Sequence, residues 1–111
     1  MPFIDVKLSK KITDEEKEGL KSDLGQAVSI LNKPESYLMV GIQDGYDLYF
    51  AGNKLENGAF VSVSLFGAVR SASIMTKRIC EILDKRFSIK GTDVYVTYAG
   101  YSDWGWNGSN F

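Results

Sequence analysis

The sequence contains no histidine, and this absence removes several kinds of active site at once. Without an imidazole there is no Ser-His-Asp triad, no Cys-His pair and no zinc ion held by histidine. One cysteine, Cys80, is present, so an intrachain disulfide, a C-x-x-C redox pair and a thiolate metal cluster are also excluded. Any acid–base chemistry in this chain must therefore come from carboxylates, amines or phenols.

The chain also lacks an excess of either charge and any long apolar run. Thirteen Lys and Arg residues face fourteen Asp and Glu residues, a formal charge of -1, which predicts no nucleic-acid partner. No apolar run approaches the ~18 residues of a membrane span, and charge comes within five residues of Met1, so neither a membrane anchor nor a signal peptide is predicted. We expect one cytoplasmic globular domain over residues 1–111.

The first half of the chain predicts a strand, a helix and two further strands. Alternating apolar residues predict a strand over 3–8. Thr13 and Glu16 have the capping-box spacing at the start of a helix that Pro34 is expected to end. Strands are predicted over 37–43 and, as a short aromatic strand, over 46–50. The apolar stripe of the helix consists of Leu20, Leu24, Ala27, Val28 and Leu31.

The second half repeats this plan. A strand is predicted over 59–66, a helix capped by Ser71 or Ser73, a strand over 94–98 and a short terminal strand from Trp104. Each half is thus β-α-β plus a short extra strand. Two helices on one face of a four-stranded mixed sheet predict a two-layer α+β domain. The apolar stripe of the second helix consists of Met75, Ile79, Ile82, Leu83 and Phe87.

The C-terminal segment is unusually rich in aromatic residues. Its last fourteen residues include Tyr98, Tyr101, Trp104, Trp106 and Phe111, and little chain remains to cover them. A large apolar patch of this kind marks an interface or a ligand site. The alternative is that these rings complete the core.

Pro2 is the most informative candidate for chemistry. Methionine aminopeptidases remove Met1 when the next residue is small, and the product here is an N-terminal secondary amine. A free α-amino group titrates at about 7.7–8.0, and burial lowers that pKa because the charged form loses solvation. Such an amine could act as a general base near pH 7. The alternative is a Met-Pro start without a function.

Four further residues are weaker candidates. Lys33, before Pro34, either complements the C-terminus of the first helix or anchors a substrate carboxylate. Tyr37 and Tyr95 are predicted on strands, where they offer phenols or ring faces, or are half-buried aromatic residues. Cys80 lies beside the apolar stripe of the second helix and is predicted to be a buried packing residue.

Eight short segments follow one another along the chain: Met1-Pro2, Asn32-Lys33-Pro34, Tyr37-Leu38-Met39-Val40, Phe50-Ala51-Gly52, Phe66-Gly67, Ile79-Cys80, Val94-Tyr95-Val96 and the ending Trp104-Gly105-Trp106-Asn107-Gly108-Ser109-Asn110-Phe111. With these segments in this order, the sequence resembles the macrophage migration inhibitory factor family, within the tautomerase superfamily, over essentially its whole length.

The resemblance implies a homotrimer whose sheets form a central barrel, with three sites at subunit interfaces. It also implies tautomerase activity toward phenylpyruvate-like keto–enol acids and dopachrome-type compounds, without a metal or an organic cofactor. Pro2 would be the base, Lys33 would bind the substrate carboxylate, and the backbone N–H of Phe66 would contact the ligand. The residues that would line the pocket, some from the neighbouring chain, are Tyr37, Tyr95, Thr97, Trp106 and Phe111.

The chain departs from the family pattern at three places. Thr97 stands where an asparagine is common, and its shorter side chain weakens the case for a hydrogen bond to a distal ligand hydroxyl. Phe66 replaces a usual aliphatic residue, which narrows the pocket or shifts its preference. The C-x-x-C stretch of some relatives is missing, because that neighbourhood reads Gly58-Ala59-Phe60-Val61, so thiol-oxidoreductase activity is not expected.

The sequence is also compatible with two alternative functions. The first is a signalling protein, released by a route without a signal peptide, that engages a receptor and retains the pocket as a vestige. The second is another proline-based enzyme of the superfamily, a decarboxylase or a dehalogenase. Those enzymes need an arginine or an acid beside Pro2, whereas the three arginines, Arg70, Arg78 and Arg86, lie in or beside the second predicted helix.

Overall fold

The computed structural model describes residues 1–111 and contains two α-helices and eight strands. In chain order, their bounds are β1 (Pro2–Leu8), α1 (Asp14–Ala27), β2 (Met39–Gln43), β3 (Tyr49–Phe50), β4 (Asn53–Lys54), β5 (Ala59–Phe66), α2 (Ala72–Phe87), β6 (Val94–Tyr101), β7 (Gly105–Trp106) and β8 (Ser109–Asn110).

Four strands form the main sheet, in the order β2-β1-β5-β6. The pairs β1–β2 and β5–β6 are parallel, and the central pair β1–β5 is antiparallel. Each outer pair is joined through a helix, so the two β-α-β halves meet at the middle of the sheet. The predicted α+β architecture, with two helices on a four-stranded mixed sheet, is confirmed.

Helix α1 begins at the predicted capping box. The Thr13 hydroxyl accepts from the Glu16 N–H at 3.1 Å, and the Glu16 carboxylate accepts from the Thr13 N–H at 2.9 Å. The predicted end at Pro34 is wrong, because the α-helix tightens into a 3-10 turn over Val28–Leu31 and ends at Asn32, whose φ is 58°. This left-handed residue turns the chain away from the helix before the proline is reached.

Helix α2 buries the predicted apolar stripe. Ser71 occupies the N-cap position, as predicted, but its φ is 59° and its side chain makes no capping hydrogen bond. The prediction that a serine side chain caps this helix is therefore wrong. Lys85 and Arg86 lie in the last turn, where positive charge complements the helix dipole. Cys80 is half-buried rather than fully buried, and burial raises the pKa of its thiol.

The core lies between the helices and one face of the sheet. Alternate residues of β1 and β5 are buried there, and Ile4 and Val61 are fully inaccessible to solvent. Burying a side chain of this size stabilises the fold by about 1.5–3 kcal/mol. Arg86 of α2 also makes a two-pronged ion pair with Asp23 of α1. Neither helix has the length and hydropathy needed to cross a membrane.

The opposite face of the sheet is open. Met39 on β2 and Tyr95 on β6 point to this face and are 68% and 63% exposed. Phe3 and Phe60, on the two central strands, are half-buried on the same face. The chain therefore leaves a broad, partly apolar sheet surface without a covering layer.

Two predicted strands differ from the structure. Tyr37 is not on a strand: it ends a 3-10 turn over Glu35–Tyr37, closed by a 2.9 Å hydrogen bond from the Leu38 N–H to the Glu35 carbonyl. It is 52% exposed. The predicted strand over 46–50 is reduced to Tyr49–Phe50, because the Tyr46 N–H donates to the Leu8 carbonyl and holds residue 46 against the end of β1.

Candidate functional site

Pro2 lies at the start of β1, in the middle of the main sheet. It is buried and pairs with Leu65 near the end of β5, while the next residue, Phe3, pairs with Met39 at the start of β2. A proline is tolerated at the first position of a strand because no ladder hydrogen bond has to be donated there. The fold thus places the Pro2 nitrogen between two neighbouring strand ends.

Lys33 reaches across this strand start to the end of β5. Its Nζ atom donates to the Phe66 carbonyl at 3.1 Å, and the Phe66 N–H donates to the Met1 carbonyl at 3.2 Å. The left-handed turn at Asn32 directs the chain toward this position. The structure therefore brings together Pro2, Lys33 and Phe66, three of the candidate site residues from the sequence analysis.

The N-terminal amine lies in surroundings that disfavour a positive charge. In the chain that carries Met1, burial is the main cause that lowers the pKa of its amino group, and the nearby charge of Lys33 is the second. Burial removes solvation from the ammonium form, and a like charge repels it. This end of β1 therefore favours a neutral amine, the form that can accept a proton.

Four aromatic rings form a continuous surface beside Lys33 and Pro2, called here the aromatic wall: Phe66, Phe111, Trp106 and Tyr37. Successive ring centroids lie 5.7 Å, 6.3 Å and 6.2 Å apart in that order. Each distance lies within the range of direct aromatic contact, about 4.5–7 Å. Trp106 and Phe111 are nevertheless 56% and 53% exposed, so these rings do not complete the core.

The C-terminal hairpin positions two of these rings. Strands β7 and β8 are joined through Asn107 and Gly108, whose φ values are 52° and 85°. Positive φ at both central residues is the reason that Asn-Gly favours such turns. The Phe111 N–H then donates to the Trp104 carbonyl at 3.1 Å, which returns the last residue toward the site.

An open cavity of about 560 Å³ adjoins Pro2 on the β2 side and is lined mostly by apolar residues. Phe3, Ser36 and Met39 line this cavity and were not among the candidates from the sequence. The sequence could have indicated Phe3 and Met39, because each is an apolar residue at a strand position that faces away from the core. A concave apolar pocket with a few polar groups is typical of a small-molecule site.

Tyr95 and Thr97 lie away from this site within one chain. Pro2 pairs with Leu65, which pairs with Gly100, whereas Tyr95 precedes Gly100 by five positions on β6. At about 3.3 Å per residue, that separation is roughly 16 Å. Tyr95 instead packs against Phe50 of β3, with ring centroids 5.3 Å apart. Both residues are exposed on β6: Tyr95 lies near the opposite end of the sheet, and Thr97 lies in the middle of its strand.

Of the arginines that a decarboxylase or dehalogenase would need, Arg78 and Arg86 lie on α2, and the third, at position 70, is exposed in the segment between β5 and α2. Arg86 pairs with Asp23, and the pKa of Asp23 is lowered mainly by that hydrogen bond, with a smaller contribution from the charge of Arg78. Lys33 is therefore the cation that the structure brings to Pro2. No group of three or more Cys, Asp and Glu side chains is arranged to hold a metal ion.

Comparison with known proteins identifies similar sequences and structures. A family model described as macrophage migration inhibitory factor (MIF) matches residues 1–111. A macrophage migration inhibitory factor homolog from Trichinella spiralis is 27% identical over 115 residues, covering 100% of both chains. The crystal structure of Leishmania major MIF2 superposes with a TM-score of 0.92 at 30% identity, covering 100% of this chain and 97% of that chain.

A second structure extends the likeness of fold. The macrophage migration inhibitory factor-like protein from Entamoeba histolytica superposes with a TM-score of 0.90 at 23% identity, covering 99% of this chain and 98% of that chain. At this identity the likeness concerns the fold alone. The arrangement of two helices on a four-stranded mixed sheet is therefore shared with distant relatives.

Proposed function

The chain belongs to the macrophage migration inhibitory factor family, within the tautomerase superfamily, and on that premise we propose that it is a cofactor-independent keto–enol tautomerase. Its substrates are phenylpyruvate and dopachrome-like compounds, and its general base is the Pro2 amine exposed by removal of Met1. The observation that carries the proposal is the position of Pro2, buried at the start of β1 and beside the Lys33 ammonium.

The electrostatics of the strand start support Pro2 as the base. The causes that lower the pKa of the Met1 amine, burial and the charge of Lys33, act one residue away from the Pro2 nitrogen. After removal of Met1, the terminal nitrogen lies one residue closer to the buried strand. We therefore expect the pKa of Pro2 to be depressed by burial first and by Lys33 second. A neutral secondary amine is then available near pH 7.

Removal of Met1 also frees a hydrogen-bond donor. The Phe66 N–H donates to the Met1 carbonyl in the unprocessed chain, at 3.2 Å. Once that carbonyl is gone, the same N–H is available to a substrate oxygen. Lys33 adds a positive charge near the place that the Met1 carbonyl had occupied. Its Nζ atom donates to the carbonyl of the same residue, Phe66, whose N–H had bound Met1. One processing step thus creates the base and exposes a donor for the ligand.

These groups define a proton-transfer mechanism. Neutral Pro2 removes a proton from the carbon next to the keto group, while Lys33 holds the substrate carboxylate. The protonated amine then returns the proton to the other tautomeric position, so no net charge or atom is lost. The aromatic wall limits the access of water and favours the neutral amine.

We extend the proposal to a homotrimer whose sites lie between chains. The open sheet face and the exposed rings of Tyr95 and Trp106 provide apolar surface for such an interface. In this assembly Tyr95 and Thr97 of one chain complete the site that contains Pro2 of its neighbour. An assembly of this kind accounts for the position of Tyr95 within one chain, roughly 16 Å along the strand direction from the level of Pro2.

The activity is tested by following the conversion of enol to keto phenylpyruvate with protein whose N-terminus has been checked by mass. We expect turnover by the processed protein, its loss after alkylation of Pro2, and a small residue of activity in Pro2→Ala, which keeps a primary amine. Turnover that survives complete alkylation would refute Pro2 as the base.

The shared site is tested by mixing two defective chains. A chain with Pro2 alkylated and a Tyr95→Ala chain should each have low activity as pure assemblies. Dissociation and joint reassembly should restore turnover, because some sites then combine an intact Pro2 with an intact Tyr95. Sedimentation should give about three times the 12.3 kDa chain mass. A stable monomer, or no restoration in mixed assemblies, would contradict the interface site.

A further inference from the structure

Phe66 contacts three separate parts of the site. Its N–H donates to the Met1 carbonyl, and its carbonyl accepts from Lys33. Its ring packs against Phe111, with centroids 5.7 Å apart and ring planes inclined by 39°. A single residue therefore links the N-terminal segment and the carboxylate-binding cation to the last residue of the chain.

The backbone around Phe66 fixes the direction of these contacts. Gly67 follows with φ of 92°, a conformation that favours glycine, and its N–H donates to the Tyr101 carbonyl at 2.9 Å. Gly100, on the adjacent strand, has no room for a Cβ because the Gly67 carbonyl oxygen lies directly against it. This close approach of two backbones holds the end of β5 and, with it, the orientation of Phe66.

The ring contacts of the aromatic wall leave no slot for a substrate ring. An inserted ring needs roughly 7 Å between the flanking planes, because each carbon–carbon contact takes about 3.5 Å. The Phe66–Phe111 and Phe111–Trp106 centroids are 5.7 Å and 6.3 Å apart. A bound aromatic group must therefore lie on the surface of the wall, and the position of Phe111 decides whether that surface is continuous.

Resting on the proposed function, we propose that Phe66 is a specificity-determining residue that selects 2-oxo acids with an aromatic ring over those with an aliphatic chain. A substrate whose carboxylate pairs with Lys33 begins at the Phe66 carbonyl, so its side chain starts beside the Phe66–Phe111 pair. Aromatic rings gain directed contacts there that an alkyl chain does not. Phe66 acts through Phe111, because the Phe111 ring is held between the rings of Phe66 and Trp106.

The test compares the affinities for two small probes, phenylpyruvate and 2-oxohexanoate, measured by quenching of tryptophan fluorescence in the processed protein. Phe66→Leu should reduce the preference for phenylpyruvate by about three- to tenfold, the size of one aromatic contact. Phe66→Tyr keeps the ring and should retain the wild-type preference. In turnover, Phe66→Leu should raise KM for phenylpyruvate and leave kcat nearly unchanged.

A double-mutant cycle examines the route through Phe111. Phe111→Leu, at the exposed chain end, should lower the preference as Phe66→Leu does, and the double variant should lose little more than either one. Because Phe111 is 53% exposed, its replacement leaves the core intact. If Phe66→Leu fails to fold, Phe111→Leu alone still tests the aromatic pair, and an unchanged preference in that variant would overturn the inference. Fully additive losses, or equal loss of both affinities in Phe66→Leu, would overturn the inference.

The outcomes separate this inference from the proposed activity. Normal turnover with an unchanged probe preference in Phe66→Leu would refute the role of Phe66 and leave the tautomerase standing. A lowered preference in a protein that never turns over phenylpyruvate would refute the tautomerase and support selection of aromatic ligands by Phe66.

Discussion

Replacing Lys33 by alanine should weaken substrate binding far more than it slows the chemical step. The Lys33 Nζ atom is held by a neutral partner, the Phe66 carbonyl, at 3.1 Å, and no carboxylate of the chain pairs with it. Its positive charge is therefore available to an anionic ligand. A cation that pairs equally with the substrate and the transition state contributes uniform binding, which changes KM rather than kcat.

The expected size follows from the position of Lys33 at a half-buried site. Two unit charges 4 Å apart attract by about 4 kcal/mol at an effective dielectric constant of 20, but solvent around the lysine reduces this figure. A hydrogen bond to a charged group contributes about 1.5–3 kcal/mol, which corresponds to roughly ten- to a hundredfold in affinity. KM for phenylpyruvate should rise by that factor in Lys33→Ala.

Steady-state rates with phenylpyruvate, taken across pH, provide the assay. Lys21→Ala is the matched control, because Lys21 lies on α1 and pairs with Glu18 at 3.2 Å. The pH profile gives a second signature. Lys33 is one of the two causes that lower the pKa of the Met1 amine, and we expect it to act in the same way on Pro2, so its removal should move the rise in kcat/KM to higher pH. A fall in kcat with unchanged KM would show that Lys33 acts on the chemistry and would refute the assigned role.

Three further results are expected. Leu65→Ala, at a core position 1% exposed, should lower the free energy of unfolding in urea by about 2–5 kcal/mol. Asp23→Asn should lower it by less than about 1 kcal/mol at pH 7, because the pair with Arg86 is partly exposed to solvent. The pairing with Arg86 holds the pKa of Asp23 below its usual value, so this difference should shrink as pH falls below about 3.9. Trp106→Ala should weaken phenylpyruvate binding or the trimer, whereas Glu18→Gln should change neither, as titration and sedimentation can show.

Local patterns in the sequence were sufficient for most of the fold. The alternation along β1 and β5 and the apolar stripe of α2 each depend on one repeat period, and the structure buries the predicted faces. The predicted strands were wrong where a single hydrogen bond decides the local structure. The Leu38 N–H bond to the Glu35 carbonyl makes a 3-10 turn, and the Tyr46 bond to Leu8 shortens the next strand. Neither hydrogen bond produces a periodic pattern of apolar residues in the sequence.

The candidate site was only partly predictable for a related reason. Pro2 and Lys33 were candidates from the residues themselves, and Phe66 was added by the family resemblance. Their proximity depends on β1 lying between the segment before β2 and the end of β5. No spacing rule joins residues 33 and 66. Phe3 and Met39 could have been found, since both are apolar on the side of their strands that faces away from the core.

A comparison of two N-termini decides whether the Pro2 amine is the catalytic base. Two preparations of the chain, identical apart from Met1 and confirmed by mass, are assayed for the conversion of enol to keto phenylpyruvate, and their folding and sedimentation are matched. The processed protein should turn over the substrate, with kcat/KM rising with pH and levelling off before about pH 8, the ordinary range of an α-amino group. The Met1-retaining protein should be nearly inactive, because its Pro2 nitrogen is an amide and its Met1 carbonyl accepts the Phe66 N–H. Equal rates from the two preparations would contradict catalysis by the Pro2 amine.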